Sequence, residues 1–319
     1  MRVHADIAKI RDLRRPVLTT GTFDGVHRGH RMVLDRLLEL ARREQGESVL
    51  LTFHPHPRMV LFPEHTDLKL LNTPQEKAAL LEAAGLDHLL MTPFSRAFSN
   101  LSAEDYVREI LVKAIGVHAV VIGHDHRFGR DRSGDLSLLA SMGPHHGFRV
   151  EEIPAHEVDH ITVSSTKIRH ALAEGEVAVA RELLGYGYPL SGVVVKGDQL
   201  GRTLGFPTAN IGAIDPHKLV PGDGVYAVSV ELRTGTFQGM LYIGQRPTVP
   251  GGAGKRVVEV NIFGLDEAYR TGERDLYGEA ITVRFMHRIR GDMRFTGLEA
   301  LKEQLARDRE AALARPMAP

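Results

Sequence analysis

GTFDGVHRGH, residues 21–30, joins a short apolar run at 17–20 to a helical pattern over 31–43. Val33, Leu34, Leu37, Leu38 and Ala41 share one face of that pattern, which marks an amphipathic helix. A strand, a glycine-containing turn and a helix in this order form the unit of an α/β sheet. Ligands bind such sheets at the carboxyl ends of the strands. A helix N-terminus placed there offers unpaired N–H groups and a positive dipole end to phosphate. Gly21, Phe23, Gly25 and Gly29 are candidate phosphate-loop residues, and Gly25 and Gly29 carry no side chain to obstruct close approach. His27 and His30 are three residues apart, so both can face one ligand as imidazole donors.

The alternation continues outward. Strand patterns at 48–53, 87–91, 119–122 and 148–153 alternate with helical ones at 73–84 and 102–114. Thr73-Pro74-Gln75-Glu76 is a capping box with proline in the first turn. Helices at about 166–173 and 176–184 close this half. Such βαβα order predicts a parallel sheet wrapped by helices. After about Gly185 the texture changes to short β-type runs at 192–196, 225–232, 238–243, 257–263 and 280–286, punctuated by Gly and Pro. They predict an antiparallel barrel or sandwich, followed by a terminal helix at 298–314. The expected boundary lies at Gly185–Pro189, giving domains 1–185 and 186–319, in line with the length of 319 residues.

Lys+Arg and Asp+Glu both number 40, so the formal net charge is zero. That argues against a general nucleic-acid or anionic-membrane binder. With no cysteine, disulfides, thiolate metal sites and Cys nucleophiles are excluded. The first residues lack an apolar signal core, and no apolar run is long enough to span a bilayer; a cytoplasmic setting is expected. A homo-oligomer is compatible with the sequence but not readable from it.

Further candidate site residues cluster at predicted strand ends and helix starts. His54, Pro55 and His56 follow the strand at 48–53 directly. Ser164, Ser165 and Thr166 make a hydroxyl-rich helix start, with Arg169 one turn on, so donors, a dipole and a guanidinium can surround one anion. The β-rich half carries KGDQLGRTLGFPTANI at 196–211 in place of a Walker P-loop, which is absent. Gly197, Gly201, Arg202, Gly205 and Pro207 shape this candidate phosphate loop, and Thr208 and Asn210 offer hard oxygen donors suited to Mg²⁺ arriving with ATP. In Val258-Glu259-Val260-Asn261-Ile262 the alternation puts Glu259 and Asn261 on one face; on spacing alone Glu259 is either a base or a solvent-facing strand residue.

FDGVHRGH resembles the HxGH signature of nucleotidylyltransferases and is most similar to the adenylyltransferase half of bacterial bifunctional riboflavin kinase/FAD synthetases. TFHPHP at 52–57, GHDHRFGRDRSGD at 123–135 and SSTKIR at 164–169 match that family in order. GRTLGFPTAN at 201–210 resembles the riboflavin kinase motif, and GVYAV at 224–228, IGQRPT at 243–248 and DLYG at 275–278 match downstream. The resemblance implies riboflavin, FMN and ATP as substrates and FAD as final product. It implies His27, His30 and Arg169 on the ATP phosphates, and Gly123, Asp125, Arg127 and Phe128, with the His54–His56 stretch, near flavin or nucleotide. It makes Glu259 the base of the kinase reaction. Three positions depart from the family pattern: His126 stands where Phe is frequent, Tyr242 where Asn is, and Asn261 where His is. One expectation alternative to two activities is a protein in which only one domain remains active.

Overall fold

The computed structural model describes residues 1–7, 10, 12–64, 67–123, 125–153, 163–197, 199–246, 255–265, 269 and 275–314. His124, Asp198, Pro247 and Thr248, which belong to the motifs above, lie outside them. The chain divides into two compact units, Met1–Ser165 and Thr166–Pro319.

The first unit is built on a six-stranded sheet in the order β1-β4-β3-β2-β5-β6, parallel throughout. The strands are β1 (Arg2–His4), β2 (Val17–Thr20), β3 (Ser48–His54), β4 (His88–Pro93), β5 (Ala119–Gly123) and β6 (Arg149–Ile153). Val17, Leu18, Val49, Leu50, Leu51, Leu89, Leu90 and Val120 are fully buried, as strands covered on both faces require. Leu34, Leu37 and Ala41 of the helix Arg28–Arg43 cover one face, and Val107, Leu111 and Ile115 of the π-type helix Tyr106–Ile115 cover the other. Chain order reverses beside β2: the chain steps outward through β3 and β4, then returns to place β5 on the other side. A crevice at the carboxyl ends of β2 and β5 follows from that reversal.

The second unit contains a closed antiparallel barrel, β10-β11-β8-β7-β12-β9, so no strand keeps a free edge. Its strands are β7 (Tyr188–Val195), β8 (Ala209–Gly212), β9 (Gly224–Leu232), β10 (Gly235–Arg246), β11 (Lys255–Ile262) and β12 (Ala280–Arg290). Tyr188, Tyr226 and Phe285 fill the interior, the last two edge to face at 5.2 Å. The helices Ser165–Ala173, except Ser165 itself, and Val177–Leu184 are part of this unit; Gly222 N donates to Leu172 O at 2.8 Å. The compact units therefore part earlier in the chain than the change of texture at Gly185.

Several elements escape the sequence patterns, among them β1, β8 and the helix Leu136–His146. β1 has three residues, too few for alternation to register. The helix Leu136–His146 contains Pro144 and Gly143, both poor helix formers, and at Gly143 a Cβ would sit 2.7 Å from Phe148 O. β8 hides inside the glycine-rich stretch.

The terminal helix Leu298–Leu313 is held to the barrel by an ion pair. Arg290 Nε lies 3.0 Å from both oxygens of Asp308 and Nη2 lies 2.8 Å from Oδ2. Asp308 is only 1% exposed. Removing one member of such a pair strands a buried charge, at a cost of about 3–5 kcal/mol. Asp308→Ala should therefore lower the unfolding free energy of the second unit by about that amount in urea titration. Asp308→Leu combined with Arg290→Met should restore most of it.

Candidate active sites

The GTFDGVHRGH turn leaves the end of β2 through a strained path. Phe23 and Val26 have φ of +46° and +36°, values non-glycine residues seldom adopt, and Gly25 sits at +91°. Several bonds fix the turn. Lys77 Nζ and Thr52 Oγ1 both donate to Thr22 O, at 2.7 and 3.1 Å. Asp24, 2% exposed, accepts from Leu71 N at 2.9 Å, and its carbonyl accepts from Ser165 Oγ at 2.9 Å.

The turn delivers a stack of three rings. His27 and His30 lie 3.6 Å apart between centroids, and Phe23 backs His30 at 4.6 Å. His27 caps the helix Arg28–Arg43, its Nδ1 accepting from His30 N at 3.3 Å. That bond leaves Nε2 as the protonated nitrogen, a donor for a ligand. A Cβ at Gly29 would press on the His27 ring at 3.3 Å. Burial, then the neighbouring His27 and Lys77, hold His30 well below the usual imidazole range, so it stays neutral. Its Nδ1 has no hydrogen-bond partner among the described residues.

The other predicted stretches of the first unit divide. His54 ends β3 and is exposed with Pro55. His56 caps the helix Pro57–Leu61, accepting from Arg58 N at 3.2 Å, a structural use that the sequence reading did not foresee. Gly123 ends β5, next to β2, with Asp125 exposed just beyond it. Arg127 pairs with Asp135 at 2.8 Å. Phe128 is 8% exposed and packs on Tyr106 at 5.3 Å, so it is a core residue beneath the site. Ser164 and Ser165 fall in the first unit; Thr166 and Arg169, on the following helix, fall in the second. Lys77 is the residue of this site that sequence reading missed, because it occupies a buried position of a helix where an apolar residue is the default.

In the barrel, adjacent strands bring the predicted residues together. Glu259 in β11 faces Asn210 in β8 on one side and Tyr242 in β10 on the other. Glu259 is 5% exposed, and Thr208 Oγ1 donates to its Oε2 at 3.3 Å. The departure at Asn261 is structurally used, since its amide donates to Pro207 O at 2.6 Å and steadies the segment carrying Thr208. A Cβ at Gly197 would run into the Asn210 amide, and one at Gly201 would lie 3.2 Å from Thr208 Oγ1. The loop thus packs closely over these two side chains. Arg202 is exposed on the short helix Leu200–Thr203, and Gly205, at φ +83°, turns the chain out of it.

Thr208 borders two cavities. One of about 1020 Å³ is lined by Leu204, Met240, Phe295, Leu301 and Leu305 with Glu259 and Asp292. A smaller recess contains Arg202, Pro207, Asp275 and Tyr277. Among the described residues no group of three or more His, Cys, Asp or Glu is placed to hold a metal ion. Oxygen donors at Thr208 and Asn210 fit a hard cation that arrives with its nucleotide, not one caged by protein alone.

Residues 9–167 match the FAD synthetase family and residues 184–315 the riboflavin kinase family. The bifunctional riboflavin kinase/FMN adenylyltransferase of Escherichia coli (strain K12) is 40% identical over 293 residues, 92% of this chain and 90% of that protein. Its counterpart from Pseudomonas fluorescens is 40% identical over 304 residues, 95% of this chain and 94% of that protein. A crystal structure titled macrolide-efflux protein from Streptococcus pneumoniae superimposes with a TM-score of 0.86 at 31% identity, covering 99% of both chains. Among the described residues no helix is long and apolar enough to cross a membrane.

His126, in the 123–135 stretch of the first unit, makes stability sensitive to acid. Burial, the largest cause, lowers it to about 4, and its Nε2 has no partner among the described residues. It is neutral when folded but binds a proton near pH 6.5 when unfolded. The unfolded state therefore takes up more protons between about pH 6.5 and 4, and stability falls as pH drops through that window. In His126→Phe this contribution vanishes, so its melting temperature should fall less steeply than wild type between pH 6.5 and 4 in calorimetry.

Proposed function

The chain belongs to the family of bifunctional riboflavin kinase/FMN adenylyltransferases, and from that premise we propose how its residues divide the work. It is a transferase that phosphorylates riboflavin to FMN with ATP and adenylylates FMN to FAD with release of pyrophosphate. The adenylyl transfer is assigned to residues 1–185 and the kinase to residues 186–319. A cytoplasmic setting, where ATP is plentiful, suits both reactions.

The observation that carries the kinase assignment is the Thr208–Glu259 contact, 3.3 Å long, in which Thr208 borders both cavities. The large cavity, with its apolar lining, takes the flavin; the recess beyond Thr208, bordered by Arg202, takes part of the nucleotide. The terminal ribityl hydroxyl gives its proton to Glu259 as its oxygen attacks the γ-phosphorus of ATP, and ADP leaves. Thr208 and Asn210 would hold Mg²⁺, which offsets charge on the transferred group. Gly197, Gly201 and Gly205 let the loop close over the phosphates.

In adenylyl transfer a phosphate oxygen of FMN attacks the α-phosphorus of ATP, and the pyrophosphate leaves with the electrons of the broken P–O bond. The nucleophile is already an anion, so no protein base is needed, and positioning with charge stabilisation does the work. His27 donates from Nε2, and neutral His30 is a second donor beside it. The N-terminus of the helix Arg28–Arg43 adds its dipole. Arg169, with Ser164, Ser165 and Thr166, is assigned to the same phosphates through the family motif. Gly123, Asp125 and Arg127, at the end of β5, and His54 and Pro55, at the end of β3, lie at the strand ends where flavin and adenine would be held.

Two substitutions test the division. Glu259→Gln keeps size and one acceptor but removes basicity; riboflavin phosphorylation should fall by about a hundred- to ten-thousandfold while added FMN is still converted to FAD. Wild-type FMN output would refute the base. His30→Ala should lower FAD formation by about a hundredfold, on the scale of one lost donor, and leave FMN formation intact. Chromatographic separation of the flavins reads both reactions, and equal loss of both would mean misfolding.

A further inference from the structure

Tyr242 departs from the family pattern, and its surroundings give it a use. It lies in β10 directly opposite Glu259 in β11, so both side chains leave the sheet on the same face. Both line the large cavity. Gly244, two residues along the strand, shares that face. A side chain there would collide with the phenol ring and hydroxyl, so the ring lies along the strand over the space that glycine leaves. The phenol hydroxyl donates to Asp292 Oδ1 at 3.2 Å, and the same oxygen accepts from Met293 N at 2.9 Å. Asp292 is thereby held from two sides at the start of the segment that leads from β12 to the terminal helix.

The phenol has one O–H, and it donates that to Asp292. Its oxygen lone pairs therefore remain as an acceptor on the cavity side. Burial, then the charge of Asp292, push this phenol up to about 12, with Asp223 and Glu259 contributing, so it stays protonated at any working pH. It is a fixed hydrogen-bond acceptor beside Glu259, not a second base. Riboflavin differs from its bare ring system by a chain of hydroxyl donors, and the last hydroxyl must reach Glu259.

We propose that Tyr242, oriented by Asp292, recognises the hydroxylated chain of riboflavin and sets the terminal hydroxyl against Glu259. The proposal rests on the reading of the large cavity as the flavin site and of Glu259 as the base. Tyr242 acts as a positioning and specificity residue, and Asp292 acts through it.

The test uses the full chain and compares riboflavin with lumiflavin, which has the ring system but no hydroxylated chain. Flavin fluorescence titration without ATP reads binding, and steady-state phosphorylation reads KM and kcat. Tyr242→Phe keeps the ring and removes one oxygen. It should weaken riboflavin by about three- to tenfold, the scale of one neutral hydrogen bond, and raise KM in parallel. Lumiflavin binding and conversion of FMN to FAD should not change. Asp292→Ala removes the acceptor that orients the phenol and should weaken riboflavin as Tyr242→Phe does, again without changing lumiflavin binding. If Tyr242→Phe weakens both flavins equally, or neither, the proposal is overturned, and the same holds if Asp292→Ala leaves riboflavin affinity at the wild-type level. Chain-dependent weakening in Tyr242→Phe, together with full turnover in Glu259→Gln, would sink the base assignment and leave Tyr242 standing.

Discussion

The Lys77 ammonium reaches Thr22 O at 2.7 Å from a side chain that is 9% exposed, and the turn after β2 depends on that bond. A carbonyl at the end of a central strand is cut off from water and needs a donor. A positive φ at Phe23 and Val26 costs of order 1–3 kcal/mol each and persists only where surroundings over-determine it. The Lys77 and Thr52 donors, with the Asp24 carboxylate accepting from the segment at 71–72, supply that over-determination. Burial lowers Lys77 and the Asp24 charge opposes it, which ties the two buried charges to each other. The imidazole stack stands where it does because this network holds its base.

The barrel solves the same problem by different means. Closure gives its strands fixed neighbours, so register alone sets Tyr242, Glu259 and Asn210 side by side. What closure does not fix is the loop that carries Thr208, and Asn261 does this through Pro207 O. One apolar wall of the large cavity comes from outside the barrel, from Leu298, Leu301 and Leu305 of the terminal helix. That wall is only as firm as the Arg290–Asp308 pair beneath it.

The fold class was legible because both halves have strong periods: continuous apolar strands alternating with amphipathic helices, then short strands cut by Gly and Pro. The junction at 21–30 and the alternation around Glu259 were legible as local patterns, and they fall at the end of β2 and within β11. What stayed hidden has physical reasons. Lys77 and Asp308 occupy positions that patterning reserves for apolar residues, and only a distant partner makes each tolerable. Phe128 sits within a site motif, yet its ring packs on Tyr106 in the core. His56, expected near flavin or nucleotide, also caps a helix through its side chain, a use that its motif does not announce. The roles of Tyr242 and Asn261 are cross-strand or cross-loop relations, and no local window of sequence contains them.

The terminal helix has a consequence for how the molecule is made. The parallel-sheet unit is complete once residue 165 has been synthesised, and domains that emerge early fold early. The large cavity of the barrel, by contrast, lacks a wall until Leu298, Leu301 and Leu305 have left the ribosome and Asp308 has met Arg290. Until then an apolar hollow stands open to water, the kind of surface on which nascent chains stick to one another and to chaperones. The parallel sheet can thus form early, while the barrel's large cavity is closed only with the last turns of the polypeptide.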